Sequence, residues 1–242
     1  MYSIFKKELN TFLSSLIAYL VIIIFLTAVG LFVWVFPDTN VLDYGFADLS
    51  SLFSLAPYIF LFLIPAITMR TFAEEKKTGT MELLLTKPVT DWKIILGKYF
   101  SSLFLVVLAL LPTLIYYYTI YQLGSPAGNV DSAGIVGSYI GLILLGAVFT
   151  AVGTFASSIS ENQIVSFIIA VFFCFLLYAG ISALASLPVW GGGAWLVSQF
   201  GLDYHYNALS KGLIDTRNVL FFFSVLFIAL SATKLVLGSR KW

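Results

Sequence analysis

Residues 74–98 read EEKKTGTMELLLTKPVTDWKIILGK, a charged segment in a chain that is otherwise strongly apolar. The segment holds nine of the 25 charged residues, which are 13 Lys and Arg and 12 Asp and Glu among 242 residues. Charged residues make up 10% of the chain, against about 25% in an average soluble domain, and the mean hydropathy is +0.99. A soluble protein of this composition would expose large apolar patches and aggregate. The composition therefore indicates an integral membrane protein, with this segment in a polar loop.

Six apolar segments around this loop are long enough to cross a bilayer. A hydrocarbon core of about 30 Å needs roughly 20 apolar residues of helix. None of the six contains Asp, Glu or Arg, and Lys234 lies near a helix end, where its side chain can reach the interface. The sequence predicts an all-α, polytopic membrane protein with one transmembrane domain over residues 1–242. The predicted spans are about 16–36, 51–69, 99–123, 135–157, 164–187 and 219–238.

The distribution of Lys and Arg gives the expected orientation. With the N-terminus inside, 11 of the 13 basic residues lie on the inner side and only Lys211 and Arg217 lie outside. The positive-inside rule favours this arrangement, so both termini are expected in the cytoplasm. The net charge of +1 gives no reason to expect nucleic-acid binding.

The first span follows a positively charged stretch, as a signal sequence would. Its apolar run of about 20 residues exceeds the roughly 7–15 residues of a signal sequence, so we expect a retained helix. Before it, Phe5, Leu9, Phe12 and Leu16 recur at helical spacing. This spacing predicts an interfacial helix on the cytoplasmic leaflet. The alternative is that the first span simply begins earlier.

The residue types needed for catalysis or metal binding are scarce. The sequence has no G-x-x-x-x-G-K-[ST] phosphate-binding loop, one cysteine (Cys174) and one histidine (His205). A metal site needs several ligands, so we expect Cys174 to be a buried or lipid-facing hydrophobe and His205 a surface or headgroup-level residue. Ionisable residues at mid-membrane depth are missing too, which counts against an ion-coupled carrier. The chain is therefore expected not to be an enzyme and to hold no metal or cofactor of its own.

The loop between the second and third spans, residues 70–98, reads as two helical pieces with a break. The first begins at Thr80, its expected N-cap, and Pro88 ends it. It carries three consecutive leucines, residues 83–85, whose exposure is costly unless lipid or protein covers them. Charges of both signs around these leucines suit docking to a cytosolic partner. The alternative is a solvated connecting loop.

This loop resembles the intracellular loop of ABC-2-type transporter permeases, whose pattern is roughly E-x-x-x-G-T-x-E-x-L-L-x-x-P-V followed by G-K. The matching residues are Glu75, Gly79, Thr80, Glu82, Leu84, Leu85, Pro88, Val89, Gly97 and Lys98. The six-span layout and the long last outer loop are similar as well. Within that family, the chain most resembles the gliding-motility-associated permease subunits of Bacteroidetes.

The resemblance implies a coupling helix that docks into a groove on a separate cytosolic ABC ATPase, which would bind ATP and Mg. The implied contact residues are Thr80, Met81, Glu82, Leu83, Leu84, Leu85 and Thr86, with Gly79, Pro88 and Gly97 as structural positions. It further implies export across a bacterial cytoplasmic (inner) membrane, a link to gliding motility and a second, different permease chain. The alternative is a mechanical or scaffold subunit that transmits ATPase motion to cell-envelope machinery without carrying a substrate.

The last outer loop, residues 188–218, contains an apolar run that is too short to span the membrane. Two tryptophans flank its three glycines, and aromatic residues at this depth usually anchor to the headgroup layer. The same resemblance implies a re-entrant outer gate within residues 190–203. The expected gate residues are Trp190, Gly192, Trp195 and Tyr204.

Overall fold

The computed structural model describes residues 1–43, 45, 47–81 and 89–239, and in this part of the chain every regular element is a helix. Six helices are long and apolar enough to cross a membrane. They are Leu16–Trp34, Ser50–Lys77, Asp91–Leu123, Ser132–Ile159, Gln163–Ala185 and Thr216–Gly238. Each overlaps one predicted segment, so the predicted all-α fold with six transmembrane helices is confirmed. The side of the membrane on which the termini lie stays a prediction.

The described helices are numbered along the chain. They are α1 (Tyr2–Ser14), α2 (Leu16–Trp34), α3 (Ser50–Thr68), α4 (Ala73–Lys77), α5 (Asp91–Leu110), α6 (Leu114–Leu123), α7 (Ser132–Ile159), α8 (Gln163–Phe175), α9 (Ile181–Ala185), α10 (Ala194–Ser198), α11 (Leu202–Ser210) and α12 (Thr216–Gly238). A 3₁₀ turn at Leu111–Thr113 joins α5 to α6, and a π-helical turn at Leu176–Gly180 joins α8 to α9. Further 3₁₀ turns occupy Val41–Asp43 and Pro188–Gly193.

Helix α7 is the centre of the bundle. It packs against α3, α5, α8, α11 and α12. In its most apolar window 72% of the residues are buried, against 28% in α2 and 22% in α12. Helices α2 and α12 therefore present most of their apolar surface outward, as helices facing lipid or another chain do.

The N-terminal helix α1 is separate from the first span. The chain is extended at Ser15 (φ −91°, ψ 137°), and the Ser15 hydroxyl accepts a hydrogen bond from the Ile17 amide to start α2. Phe12 is buried, but Leu16 is 73% exposed because the chain changes direction at Ser15. The predicted separate helix is therefore present and ends at Ser14. It packs against α5.

The bundle has two ends that differ in their chemistry. We call the end that carries α1, α4, the start of α5 and the end of α7 the basal end. The distal end carries the starts of α3 and α7, together with α11, which packs on α7. The basal end holds both flanks of the predicted coupling helix, and the distal end holds the last outer loop.

Candidate functional site

At the basal end, the turn that leads into the coupling loop is attached to α7. The first amides of a helix have no partner within the helix. The hydroxyl of Ser157 accepts hydrogen bonds from the amides of Phe72 (2.9 Å) and Ala73 (3.1 Å), which start α4. The same hydroxyl donates to the carbonyl of Met69 at 2.9 Å. A single side chain of the central helix therefore fixes the path of the chain as it leaves α3.

Lys98 is the centre of a buried ion cluster beside this turn. Its side chain is 1% exposed, and its Nζ lies 2.9 Å from Glu8 Oε1 and 3.0 Å from Glu75 Oε1. Nζ also donates to the Thr71 carbonyl at 2.8 Å, so each of the three ammonium donors has an acceptor. The ring of Phe72 lies 5.3 Å away, within cation–π range. The cluster joins α1, α4 and α5.

The contacts within this cluster offset part of the cost of burying its charges, and Glu75 Oε2 is a buried oxygen without a hydrogen-bond partner among the described residues. Removing an ion from water costs several kcal/mol unless partners and hydrogen bonds replace the water. Lys7, which is 63% exposed, adds a second positive charge 3.6 Å from Glu75 Oε1 and 4.0 Å from Glu8 Oε1. Two lysines therefore face two glutamates, and the cluster is balanced in formal charge.

Gly97 explains how α1 comes close enough to reach Lys98. A Cβ atom at Gly97 would lie 2.9 Å from Ile4 Cγ2 and 3.4 Å from the Met1 carbonyl oxygen. Gly97 and Lys98 therefore both contribute to the packing of α1 against α5. Gly97 leaves space for α1, and Lys98 forms an ion pair with Glu8 on α1.

The predicted coupling helix begins within the described residues and then leaves them. Gly79 has a φ of +70°, a left-handed conformation that suits glycine at the end of α4. Thr80 and Met81 are helical. The Thr80 hydroxyl lies 2.9 Å from that of Thr78, and Met81 packs into the core of the same chain. The predicted residues Glu82, Leu83, Leu84, Leu85, Thr86 and Pro88 lie outside the described residues, and their roles stay predictions.

Other charged contacts surround the ion cluster at the basal end. Arg70 makes a two-pronged pair with Glu74, with N···O distances of 2.8 and 3.1 Å. The Nζ of Lys76 donates to the carbonyl of Ser158 at the end of α7. The residues that flank the coupling loop are therefore attached to their own bundle at several points.

At the distal end, the four expected gate residues are all exposed. Trp190 lies in the 3₁₀ turn, where its indole Nε1 donates to the Leu184 carbonyl at 2.8 Å. Gly192 has open space around it, Trp195 is 59% exposed and Tyr204 is 44% exposed. The loop folds into 3₁₀ and short α-helical turns. Its action as a gate stays a prediction.

His205 is buried, so the prediction of a surface histidine is wrong. Its Nδ1 lies 2.8 Å from Asn218 Oδ1, and its Nε2 lies 2.8 Å from the Gln199 carbonyl oxygen. The ring stacks on Phe221 with centroids 4.0 Å apart. His205 therefore ties α11 to α12.

The helical spacing of the residues around His205 could have predicted that this histidine is buried. Leu202, His205, Tyr206 and Leu209 follow i, i+3, i+4, i+7 spacing, and all four are buried. The flanking tyrosines and the position in an outer loop suggested exposure. The periodicity was the better signal, because α11 packs on α7 and α12.

Comparison with known proteins matches one family model and two curated relatives. The model of a family described as ABC-2 family transporter protein matches residues 36–233. The probable multidrug ABC transporter permease YbhR of Escherichia coli K12 is 27% identical over 153 residues, covering 62% of this chain and 39% of that protein. YbhR of Escherichia coli O157:H7 gives the same values. The match thus spans well under half the length of these relatives, whereas the family model includes the whole charged loop.

Proposed function

Because this chain belongs to the ABC-2 family of transporter proteins, we propose that it is the membrane-spanning permease subunit of an ATP-driven exporter. A separate cytosolic ATPase binds ATP and Mg and drives the transport cycle. Residues 80–86 form the coupling helix that docks on this ATPase. In this proposal the basal end faces the cytoplasm of a bacterial inner membrane, in agreement with the positive-inside rule.

The observation that carries the proposal is that both ends of the coupling loop are attached to helices of the bundle. An element that transmits a movement must be attached firmly to the parts that it moves. Ser157 fixes the start of the loop to α7, and Lys98 fixes its end to α1 through Glu8. Displacement of the loop by a partner would therefore reach α1, α5 and α7 together, which is how a nucleotide-dependent state would bias the bundle.

A second permease chain, a different subunit, completes the transporter in this proposal. The low burial in the spans α2 and α12 leaves apolar surface for lipid or for such a chain. A role in gliding motility is a narrower proposal, supported by the sequence resemblance. The mechanical alternative, in which the subunit moves envelope machinery without carrying a substrate, needs the same coupling loop. The name of YbhR, a multidrug permease, favours transport.

Affinity purification from the native host in mild detergent tests this function. We expect a phosphate-binding-loop ATPase and a second multispan chain to co-purify in stoichiometric amounts, as mass spectrometry would detect. In a variant with residues 82–85 replaced by a Gly/Ser linker, the ATPase should no longer co-purify. The variant should still elute as a single symmetric peak in size-exclusion chromatography, which shows that the spans are folded. A chain that purifies alone, or only with periplasmic proteins, would overturn the proposal.

A further inference from the structure

A cavity of about 330 Å³ opens at the distal end between α3, α7, α11 and the π-helical turn. This volume lies at the lower end of the roughly 300–1,000 Å³ of small-molecule sites. Neither Lys nor Arg is among the described residues that line it. Its wall contains three carboxylates and three tyrosines: Asp48, Asp131, Asp203, Tyr58, Tyr178 and Tyr206.

Two of the carboxylates are held in place by the helices that they start. Asp131 Oδ1 accepts a hydrogen bond from the Gly134 amide at 3.0 Å and caps α7. Asp48 Oδ1 accepts one from the Ser50 amide at 3.1 Å at the start of α3. Each bond uses one oxygen of the carboxylate and comes from a neutral donor. The negative charge therefore stays available to a ligand.

Asp203 is held by side chains in the same way. It accepts hydrogen bonds from Asn207 Nδ2 at 2.8 Å and from Ser182 Oγ at 3.4 Å. Lys211 shares a neighbouring surface hollow with Asp203. Within the described part of the chain, however, neither Lys211 nor any other basic residue forms an ion pair with one of the three cavity aspartates. The cavity wall thus carries three formal negative charges, none of which is in an ion pair with a described residue.

The tyrosines give the cavity an aromatic wall. The Tyr178 ring lies 5.7 Å from that of Tyr58 and 6.4 Å from that of Tyr206, both nearly edge to face. Tyr178 and Tyr206 are 3% and 2% exposed, and Tyr206 Oη donates to the Phe53 carbonyl at 2.6 Å. Their positions are therefore fixed by packing. Tyr58 is 53% exposed, so its ring is the one that can meet a ligand, and aromatic faces attract cations.

The carboxylates are spread around the cavity wall. No group of three or more metal-ligating side chains in the described ranges could hold a metal ion. Divalent cations need oxygen ligands that converge at about 2.0–2.6 Å. Dispersed negative charge next to aromatic rings instead suits a larger ion whose charge is covered by carbon.

We propose that this distal cavity binds an organic cation, an amine or quaternary ammonium group with apolar substituents. Charge complementarity selects the cation, and the exposed ring of Tyr58, which Tyr178 supports from behind, contacts its substituents. That the cation belongs to a transported molecule rests on the proposed permease function. The binding itself does not depend on the ATPase.

Binding of radiolabelled tetraethylammonium to the purified chain at low salt tests the proposal. Asp131→Asn is the main variant, because asparagine caps a helix as well as aspartate does but lacks its charge. We expect this variant to bind about fivefold more weakly or worse. Asp215→Asn is the matched control. Asp215 caps α12 through the Arg217 amide at 2.9 Å and lies outside the cavity, so tetraethylammonium affinity should stay unchanged.

Several results would overturn the proposal. Equal affinity in the two Asn variants, the absence of binding, or displacement of the probe by the uncharged analogue 3,3-diethylpentane would refute a charge-selective site. Displacement by micromolar Mg²⁺ or Ca²⁺ would assign the cavity to a metal ion instead. If the ATPase co-purifies but the probe does not bind, only the cavity proposal fails. If the probe binds to a chain that purifies without an ATPase, only the permease proposal fails.

Discussion

The basal and distal ends of this bundle both carry carboxylates, but the partners of these carboxylates differ between the two ends. At the basal end, Glu8 and Glu75 share the ammonium of Lys98 within 3.0 Å. At the distal end, Asp48 and Asp131 accept hydrogen bonds from neutral amides. Paired charges hold helices together, whereas carboxylates that only cap helices keep their charge for another molecule. The basal end therefore holds helices together, and in our proposal the distal end binds a ligand.

The largest expected effect concerns the coupling helix. Replacing Glu82, Leu84 and Leu85 together with alanine should abolish nucleotide-stimulated function, because the docking surface is lost. Detergent-stable, monodisperse protein should still be obtained, because the three residues lie in the sequence between the second and third spans. Stimulated ATPase activity of the purified complex is the measurement. If this variant shows normal stimulation and normal partner binding, the ATPase does not dock on the coupling helix at the basal end.

Lys98→Met should destabilise the chain by about 3–5 kcal/mol, because it leaves two carboxylates buried beside an apolar side chain. Thermal unfolding in detergent, followed by size-exclusion chromatography, measures the change in stability. Lys7→Met is the matched control on an exposed side chain of the same cluster, and about 1 kcal/mol or less is expected. Equal losses in the two variants would mean that the basal cluster is not held by its buried lysine.

Gly97→Ala should cost about 1–3 kcal/mol, because the new methyl group overlaps Ile4 and displaces α1. A second change, Ile4→Ala, removes the Cγ2 atom at 2.9 Å but keeps the Cβ atom at 3.0 Å, so it should restore only part of the loss. Gly238→Ala provides the control, since a Cβ there meets nothing within 4 Å. The same unfolding assay applies. If Ile4→Ala restores none of the stability lost in Gly97→Ala, the strain does not lie between α1 and α5.

The smallest expected effect is at the distal end. Asp131→Asn should change stability by only a few tenths of a kcal/mol, because asparagine keeps the cap, whereas Asp131→Ala should cost about 1 kcal/mol. Unfolding of the two variants, measured side by side, separates the cap from the charge. A large loss in the Asn variant would show that the distal charge stabilises the fold, and the contrast between the two ends would disappear.

The sequence predicted the features that depend on local composition. Apolar length identifies the six spans, and helical spacing around Phe12 identifies α1. Helix α5, however, starts at Asp91, eight residues before the predicted span at 99. Hydropathy marks where the membrane begins, whereas the helix itself continues into water with charged residues on it.

The contacts that make the two candidate sites are not local, and the sequence did not predict them. Lys98 and Glu8 are 90 residues apart, and the cavity takes its residues from α3, α7 and α11. Pattern matching identified Glu75, Gly97 and Lys98 as positions in the loop motif. It could not show that Glu75 pairs with Lys98 or that Gly97 admits α1, since both facts depend on how distant helices pack.

The 90-residue separation of Glu8 from Lys98 also has a consequence for biogenesis. At synthesis rates of about 5–20 residues per second, Lys98 is added roughly 5–18 s after Glu8. During that interval α1 has no buried ammonium to bind, and its glutamate stays in water. Helix α1 therefore cannot complete this contact until Lys98 has been made, so it reaches its final position well after its own synthesis.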